Sequence, residues 1–299
     1  MSTPPESTLP APTIHHYSKS EFEPGGSPSA STLDPDNPPW SLLQALLVWV
    51  ASVLLLLVPQ VCALFYVAFH YEGVIPPKAV LFADKTFFLI LVSVLLPVHV
   101  LTLGLIWAVV TLRGKISARK ALGWSWPANF GLAKSIALAI FLFIIAMLVT
   151  YRFGGQDTDI ERLLQSSRAA ALITAVLAAT TAPLVEETIY RGLLYSALQR
   201  VIGPLFAVLV VASIFGGLHV LQYWPNFGAI SAVTFLGVVL TMVRARTGRL
   251  LPCFVIHLVF NGIQSLLIVF EPYLSALYHA WHPRAVGPGL VNFLLGLSR

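Results

Sequence analysis

Charged side chains are scarce in this chain. Asp, Glu, Lys and Arg make up 10% of its 299 residues and hydrophobic residues 57%, whereas about a quarter of an ordinary soluble domain is charged. That scarcity excludes a water-solvated globular core and points to lipid as the solvent for most of the chain. Cysteine is nearly absent as well. Cys62 and Cys253 stand alone inside apolar stretches; their spacing excludes a cysteine metal motif, and both read as small buried hydrophobes. The start of the chain lacks the basic residues and apolar core of a cleavable signal peptide, so the tail is expected to remain on the protein. No repeat of helices or motifs relates one half to the other, which counts against the inverted-repeat architecture of many secondary transporters.

Long apolar runs, by contrast, are abundant. They lie at about Ser41 to Phe69, Thr86 to Leu112, Ser135 to Tyr151, Ala169 to Tyr195, Pro204 to Tyr223, Ala229 to Val243 and Leu250 to Phe270. Most reach the roughly 18 to 20 residues that cross a hydrocarbon core. The expected fold is all-α, a polytopic transmembrane bundle of seven or eight helices, the eighth depending on whether Leu290 to Leu297 is joined by the segment from Pro272. Residues 1–39, rich in Pro, Ser, Thr and acidic side chains, are expected to form a disordered polar tail. The remainder divides into N-terminal spans over 40–168, a chemistry-bearing core over 169–271 and a C-terminal loop with a short apolar piece over 272–299.

The net charge of +5 calls for no nucleic-acid partner, because the basic residues are spread among short loops. Arg113, Lys115, Arg119, Lys120 and Lys134 crowd one loop, Arg244, Arg246 and Arg249 another, and Arg200 sits near a third turn. Basic loops face the cytoplasm. This places the tail in the cytoplasm and the loop with Asp157, Asp159 and Glu161 outside. A bacterial inner membrane and a eukaryotic endoplasmic reticulum both fit.

Ionisable groups inside a membrane cost a few kcal/mol each even on insertion scales, so each needs a partner or a purpose. Two carboxylates interrupt the fourth run in Leu184-Val185-Glu186-Glu187-Thr188-Ile189-Tyr190-Arg191. Neighbouring helical residues point about 100° apart, so the two glutamates serve different ends. Glu187 and Arg191, spaced i,i+4, can pair on one face. Glu186, with Tyr190 one turn below, is then the carboxylate free to act as a base. The fifth run carries Phe215-Gly216-Gly217-Leu218-His219, where the glycines permit close helix approach. The seventh carries His257-Leu258-Val259-Phe260-Asn261, again an i,i+4 pair. Glu186, His219 and His257 together are the inventory of a catalytic zinc site that keeps one position open for water. The structural alternatives are an ion pair and helix–helix hydrogen bonds. His15 and His16 fall in the tail, and His70, His279 and His282 in loops or helix ends. His99, inside the second run beside Pro97, reads as a packing or pore residue.

These three motifs, in this order, resemble the CAAX-protease and bacteriocin-processing family, whose pattern is Glu-Glu-x-x-x-Arg, Phe-x-x-x-His and His-x-x-x-Asn. The resemblance covers roughly Ala169 to Phe270. It implies a membrane endopeptidase fold related to the type II CAAX prenyl proteases, which remove the last three residues of prenylated proteins, with catalytic positions at Glu186, Glu187, His219, His257 and Asn261. The substrate would be a peptide or protein in the bilayer, CAAX-like and lipid-modified or of another membrane-associated kind. Glu186 would activate the water. His219 and His257 would either hold a divalent metal with it, zinc by ligand chemistry, or hydrogen-bond water and oxyanion directly. Asn261 would donate to the oxyanion or orient a histidine. Glu187, Arg191, Tyr190 and Phe215 would position the helix or bind a substrate carboxylate. Two other function classes use the same residues. One is a transporter or channel with a polar intramembrane path; the other is a catalytically silent immunity or binding protein.

Overall fold

The computed structural model describes residues 33–154, 158, 164 and 167–281. Seven helical stretches are long and apolar enough to span a membrane: Leu42–His70, Lys85–Val110, Leu132–Phe153, Arg168–Ile202, Pro204–Tyr223, Phe227–Thr247 and Leu251–Tyr278. They are called the first to seventh spans below. Each falls on one of the seven apolar runs, and the fold is an all-α polytopic membrane bundle. The eighth segment expected at Leu290 to Leu297, the acidic loop residues Asp157, Asp159 and Glu161, and the tail over 1–32 lie outside the described residues.

The bundle is packed for lipid. Large apolar side chains point outward, Phe69 at 84% and Leu221 at 83% exposed, while Ala45, Ala139, Ala170 and Ala207 are fully buried between helices. Small interior residues let backbones approach, and dispersion replaces the hydrophobic driving force that lipid does not supply.

Prolines set where the spans break. A proline has no N–H for the carbonyl four residues earlier, so the helix loses a bond there. The first span breaks at Leu56–Leu57, just after the Leu55 carbonyl that Pro59 cannot serve. The second breaks at Val94, ahead of Pro97, and the fourth at Thr180, ahead of Pro183. In the seventh, Pro272 orphans the Ile268 carbonyl without ending the helix, because the Arg168 guanidinium donates to the carbonyls of Ile268, at 3.2 Å, and Val269. A polar group left bare in hydrocarbon is thereby satisfied from a neighbouring span.

Residues 33–40 differ from the expectation of a disordered tail reaching residue 39. They form an ordered strap across the bundle's end. Arg244, 1% exposed, donates to Asp36 Oδ1 at 2.6 Å and to the Pro35 carbonyl at 2.9 Å. Arg200 donates to Asn37 Oδ1 and to the carbonyls of Pro38 and Trp40, and the Trp40 indole donates to the Leu193 carbonyl. Arg244 was expected in a basic loop with Arg246 and Arg249; it lies instead in the last turn of the sixth span as a buried clamp. Asp36→Ala should cost about 1–3 kcal/mol, because it strands a buried cation. A thermal unfolding midpoint in detergent equal to that of the parent would contradict this.

Two large buried clusters organise most of the interior, beside a small third one of Phe88, Val92 and Ala170. One joins the first, second, fourth and fifth spans around Trp40, Val110, Leu193, Tyr195, Phe215 and Leu250. The other joins the third, sixth and seventh around Ala139, Leu142, Leu240, Cys253, Ile256 and Phe260. The fifth and sixth spans meet through glycine. A Cβ on Gly237 would lie 2.7 Å from Phe215 Cδ1, and one on Gly216 would lie 2.6 Å from Thr234 Oγ1. Both glycines are therefore required by close approach, and the Gly237 contact pins the Phe215 ring in place.

Candidate active site

The fourth span changes pitch where its polar residues begin. Thr181–Glu187 is α-helical, and Thr188–Leu194 is a π-helix in which the Tyr195 N–H reaches back five residues to the Tyr190 carbonyl. π turns are rare and gather at functional sites. All seven π residues are buried. Gly192 lets the widened turn fit, since a Cβ there would lie 2.8 Å from Leu122 Cδ2.

From this segment a polar string runs across the bundle. Arg191 Nη1 donates to Glu187 Oε1 at 2.9 Å, with both side chains wholly buried. The other guanidinium nitrogens are also engaged: Nε donates to Thr241 Oγ1 at 3.2 Å and Nη2 to the Gly237 carbonyl at 2.9 Å. The guanidinium lies over the Phe215 ring, 4.5 Å from its centroid, a cation–π contact in a dry setting. With every donor group occupied and no exposed surface, Arg191 is built into the scaffold, and its geometry supports positioning over grip on a substrate carboxylate.

Glu187 Oε1 also takes His257 Nδ1 at 2.7 Å. A carboxylate paired to arginine accepts only, so Nδ1 carries the proton. The ring's other nitrogen, Nε2, stands 3.8 Å from Glu186 Oε2. That is too long for a direct hydrogen bond and suits two groups that address a single small molecule between them. Glu187 Oε2 is buried with no hydrogen-bond partner among the described residues. Glu186, by contrast, is 26% exposed. The adjacent glutamates thus divide, one sealed in an ion pair and one facing open space.

His219 is half-buried, and its Nδ1 meets the Phe215 carbonyl at 2.7 Å. A carbonyl only accepts, so this nitrogen too is the protonated one, and Nε2 has no hydrogen bond among the described residues. Its ring packs on Phe215 at 4.5 Å and stacks on Tyr223 at 6.2 Å. Phe215 therefore touches Tyr190, Arg191, His219 and His257. It is the apolar hub on which the three motifs converge. Asn261 Nδ2 donates to the Ala178 carbonyl at 3.0 Å, tying the seventh span to the fourth; the second hydrogen on that nitrogen is not used in this bond.

Among the described residues no three His, Cys, Asp or Glu side chains are grouped so as to hold a metal ion. Glu186, His219 and His257 are not grouped as a three-ligand set there. One neighbour escaped the motif reading. His99 on the second span is buried and sits 2.8 Å from Thr181 Oγ1, within electrostatic range of Glu186. Its one sequence signal was that it is an ionisable side chain inside an apolar run.

Residues 168–263 match the family model described as type II CAAX prenyl endopeptidase Rce1-like. Glu186, Glu187, Arg191, Phe215, His219, His257 and Asn261 all lie within that match. This part of the chain is similar to the Rce1-like CAAX proteases. Searches of curated proteins and of solved structures return no match. In this Rce1-like region the family's polar residues come together as a buried glutamate–histidine–arginine network, with one further glutamate facing outward from it.

Proposed function

We propose that the protein is a membrane-embedded endopeptidase in which Glu186 activates water for attack on a peptide carbonyl. The observation that carries this reading is the opposed pair Glu186 Oε2 and His257 Nε2, 3.8 Å apart, within a family match to prenyl endopeptidases. Two acceptors at that separation can hold one water by its two hydrogens, leaving an oxygen lone pair to face the substrate. Glu186 takes one proton as the C–O bond forms. The peptide carbonyl becomes an oxyanion, for which the unused Asn261 hydrogen is a donor. When the C–N bond breaks, Glu186 returns its proton to the leaving amine, and the carboxylate is restored.

His219, whose Nε2 has no hydrogen bond among the described residues, is the second imidazole in reach of substrate. Glu187 and Arg191 hold His257 and do not touch the reacting atoms. The substrate class is a membrane-associated peptide, CAAX-like by family. No metal is needed for this sequence of steps. Zinc on Glu186, His219 and His257 is the separate proposal, and it requires those three to close into a ligand set.

The test is cleavage of a quenched fluorescent peptide library by the purified full chain in detergent, run with and without chelator and beside Glu186→Gln. Cleavage by the parent that survives chelation and fails in the variant supports the metal-free mechanism. Loss on chelation with recovery on added zinc would replace it by the zinc route. Solute flux into sealed vesicles with no proteolysis would overturn the peptidase reading in favour of transport.

A further inference from the structure

The break that Pro183 imposes lies just upstream of Glu186, and polar side chains from two other spans hold it. Asn261 of the seventh span donates to the Ala178 carbonyl on one side of the break. His99 of the second span meets the hydroxyl of Thr181, the first residue of the restarted helix, at 2.8 Å. Thr180 itself is far from helical, with φ −124° and ψ −74°, and its hydroxyl turns back to the Val176 carbonyl. A helix that restarts after such a break has no continuous hydrogen-bond ladder to fix its rotation or its tilt, so side chains from its neighbours must supply that constraint. Thr181 and Glu186 share a single seven-residue helical segment, Thr181–Glu187. Fixing the one end fixes the direction of the carboxylate at the other.

His99 is 8% exposed, in hydrocarbon surroundings where an imidazole kept only for packing would be replaced at a gain by leucine. No carboxylate, lysine or arginine hydrogen-bonds it; Thr181 is its one such partner among the described residues. Glu186 is the charged group that acts on it electrostatically.

We propose that His99 is a positioning residue for Glu186, acting through its hydrogen bond to Thr181 to set where the helix restarts after the Thr180 break. The role rests on the reading of Glu186 as the base. His99 does not touch the reacting atoms. It is a constraint supplied by a span outside the three that carry the family motifs.

The experiment is a mutant cycle on the purified full chain. His99→Leu and Thr181→Val each remove one side of the bond with little change in volume. Each should lower kcat about 10- to 100-fold, the range seen when a group that orients an active residue is lost, with KM within about threefold of the parent. The double variant should be no slower than Thr181→Val, because both single variants remove the bond between His99 and Thr181, and only Thr181→Val also removes the hydroxyl's 3.5 Å bond to the Leu177 carbonyl. Thr181→Ser, which keeps the hydroxyl, and His99→Asn, which keeps a hydrogen-bonding atom near the Nδ1 position, should recover most of the rate. A general structural defect would be neither non-additive nor rescued in this way.

A second readout does not need turnover. Labelling of Glu186 by a hydrophobic carbodiimide, located by mass spectrometry, should change severalfold and equally in His99→Leu and Thr181→Val and return to the parental rate in Thr181→Ser. Unchanged labelling, additive losses, or absence of rescue would overturn the role of His99. Glu186→Gln separates the two levels. If it is inactive while His99→Leu is fully active, only the positioning role falls; if it turns over like the parent, the base assignment falls and this role with it.

Discussion

Arg191→Met should destabilise the protein by about 3–5 kcal/mol, the cost of leaving an uncompensated charge in a buried pair. Glu187 is sealed, and the guanidinium supplies one of the two donors on its Oε1. Methionine fills much of the same volume but donates nothing, so Glu187 must either keep an unneutralised charge in the bundle or take up a proton. The loss extends to Thr241 Oγ1, to the Gly237 carbonyl and to the cation–π contact on Phe215. Adding Glu187→Leu should return part of the stability, since replacing both members of a buried ion pair by apolar groups is often near neutral. The return stays incomplete because His257 Nδ1 then loses its acceptor. Unfolding midpoints in detergent for the single and double variants measure this. A double variant less stable than Arg191→Met would mean that the pair is not the unit of stability described here.

The arrangement of these groups was legible in part. Seven spans could be read because runs of apolar residues long enough to cross a bilayer have few other uses, and the i,i+4 spacing of Glu187 and Arg191 identified their pairing. That pairing survives the switch to π geometry immediately after Glu187 because the long arginine side chain absorbs the altered pitch. The π turn itself left no local mark. It depends on tertiary fit, on Gly192 against Leu122 and on the Trp40 indole reaching the Leu193 carbonyl. The strap was misread for the same reason. Asp34-Pro-Asp-Asn-Pro-Pro-Trp40 has the composition of a disordered segment, and what orders it is Arg200 and Arg244, at least 160 positions away. Composition reports what a segment can bury by itself and is blind to distant cations that satisfy its carbonyls. His99 shows the complementary limit. A single polar residue in an apolar run signals a need for a partner, but the partner, Thr181, sits at a helix break whose place beside the second span only the tertiary structure defines.

Glu186→Gln should lower turnover about 10²- to 10⁴-fold, the usual contribution of a positioned general base, while Glu187→Gln should lower it only about 10- to 100-fold. Two adjacent, chemically identical residues are thus predicted to differ, with the larger loss at Glu186. The difference follows from what each oxygen faces. Glu186 is 26% exposed and stands opposite His257 Nε2, so under the proposed mechanism the amide removes the group that would take the proton from water. Glu187 faces inward, and its task is to hold His257 Nδ1–H and so keep Nε2 turned toward Glu186. Glutamine retains an oxygen that can accept this bond but loses the charge that pairs with Arg191, so the imidazole is held more loosely and the water less well aimed. The loss should appear in kcat with KM little changed, because neither glutamate is assigned a substrate contact in the ground state. Steady-state kinetics on both variants, with unfolding midpoints to establish that each is folded, decide the matter. Equal losses would make the pair one catalytic unit, and a larger loss at Glu187 would exchange the roles of base and positioning residue.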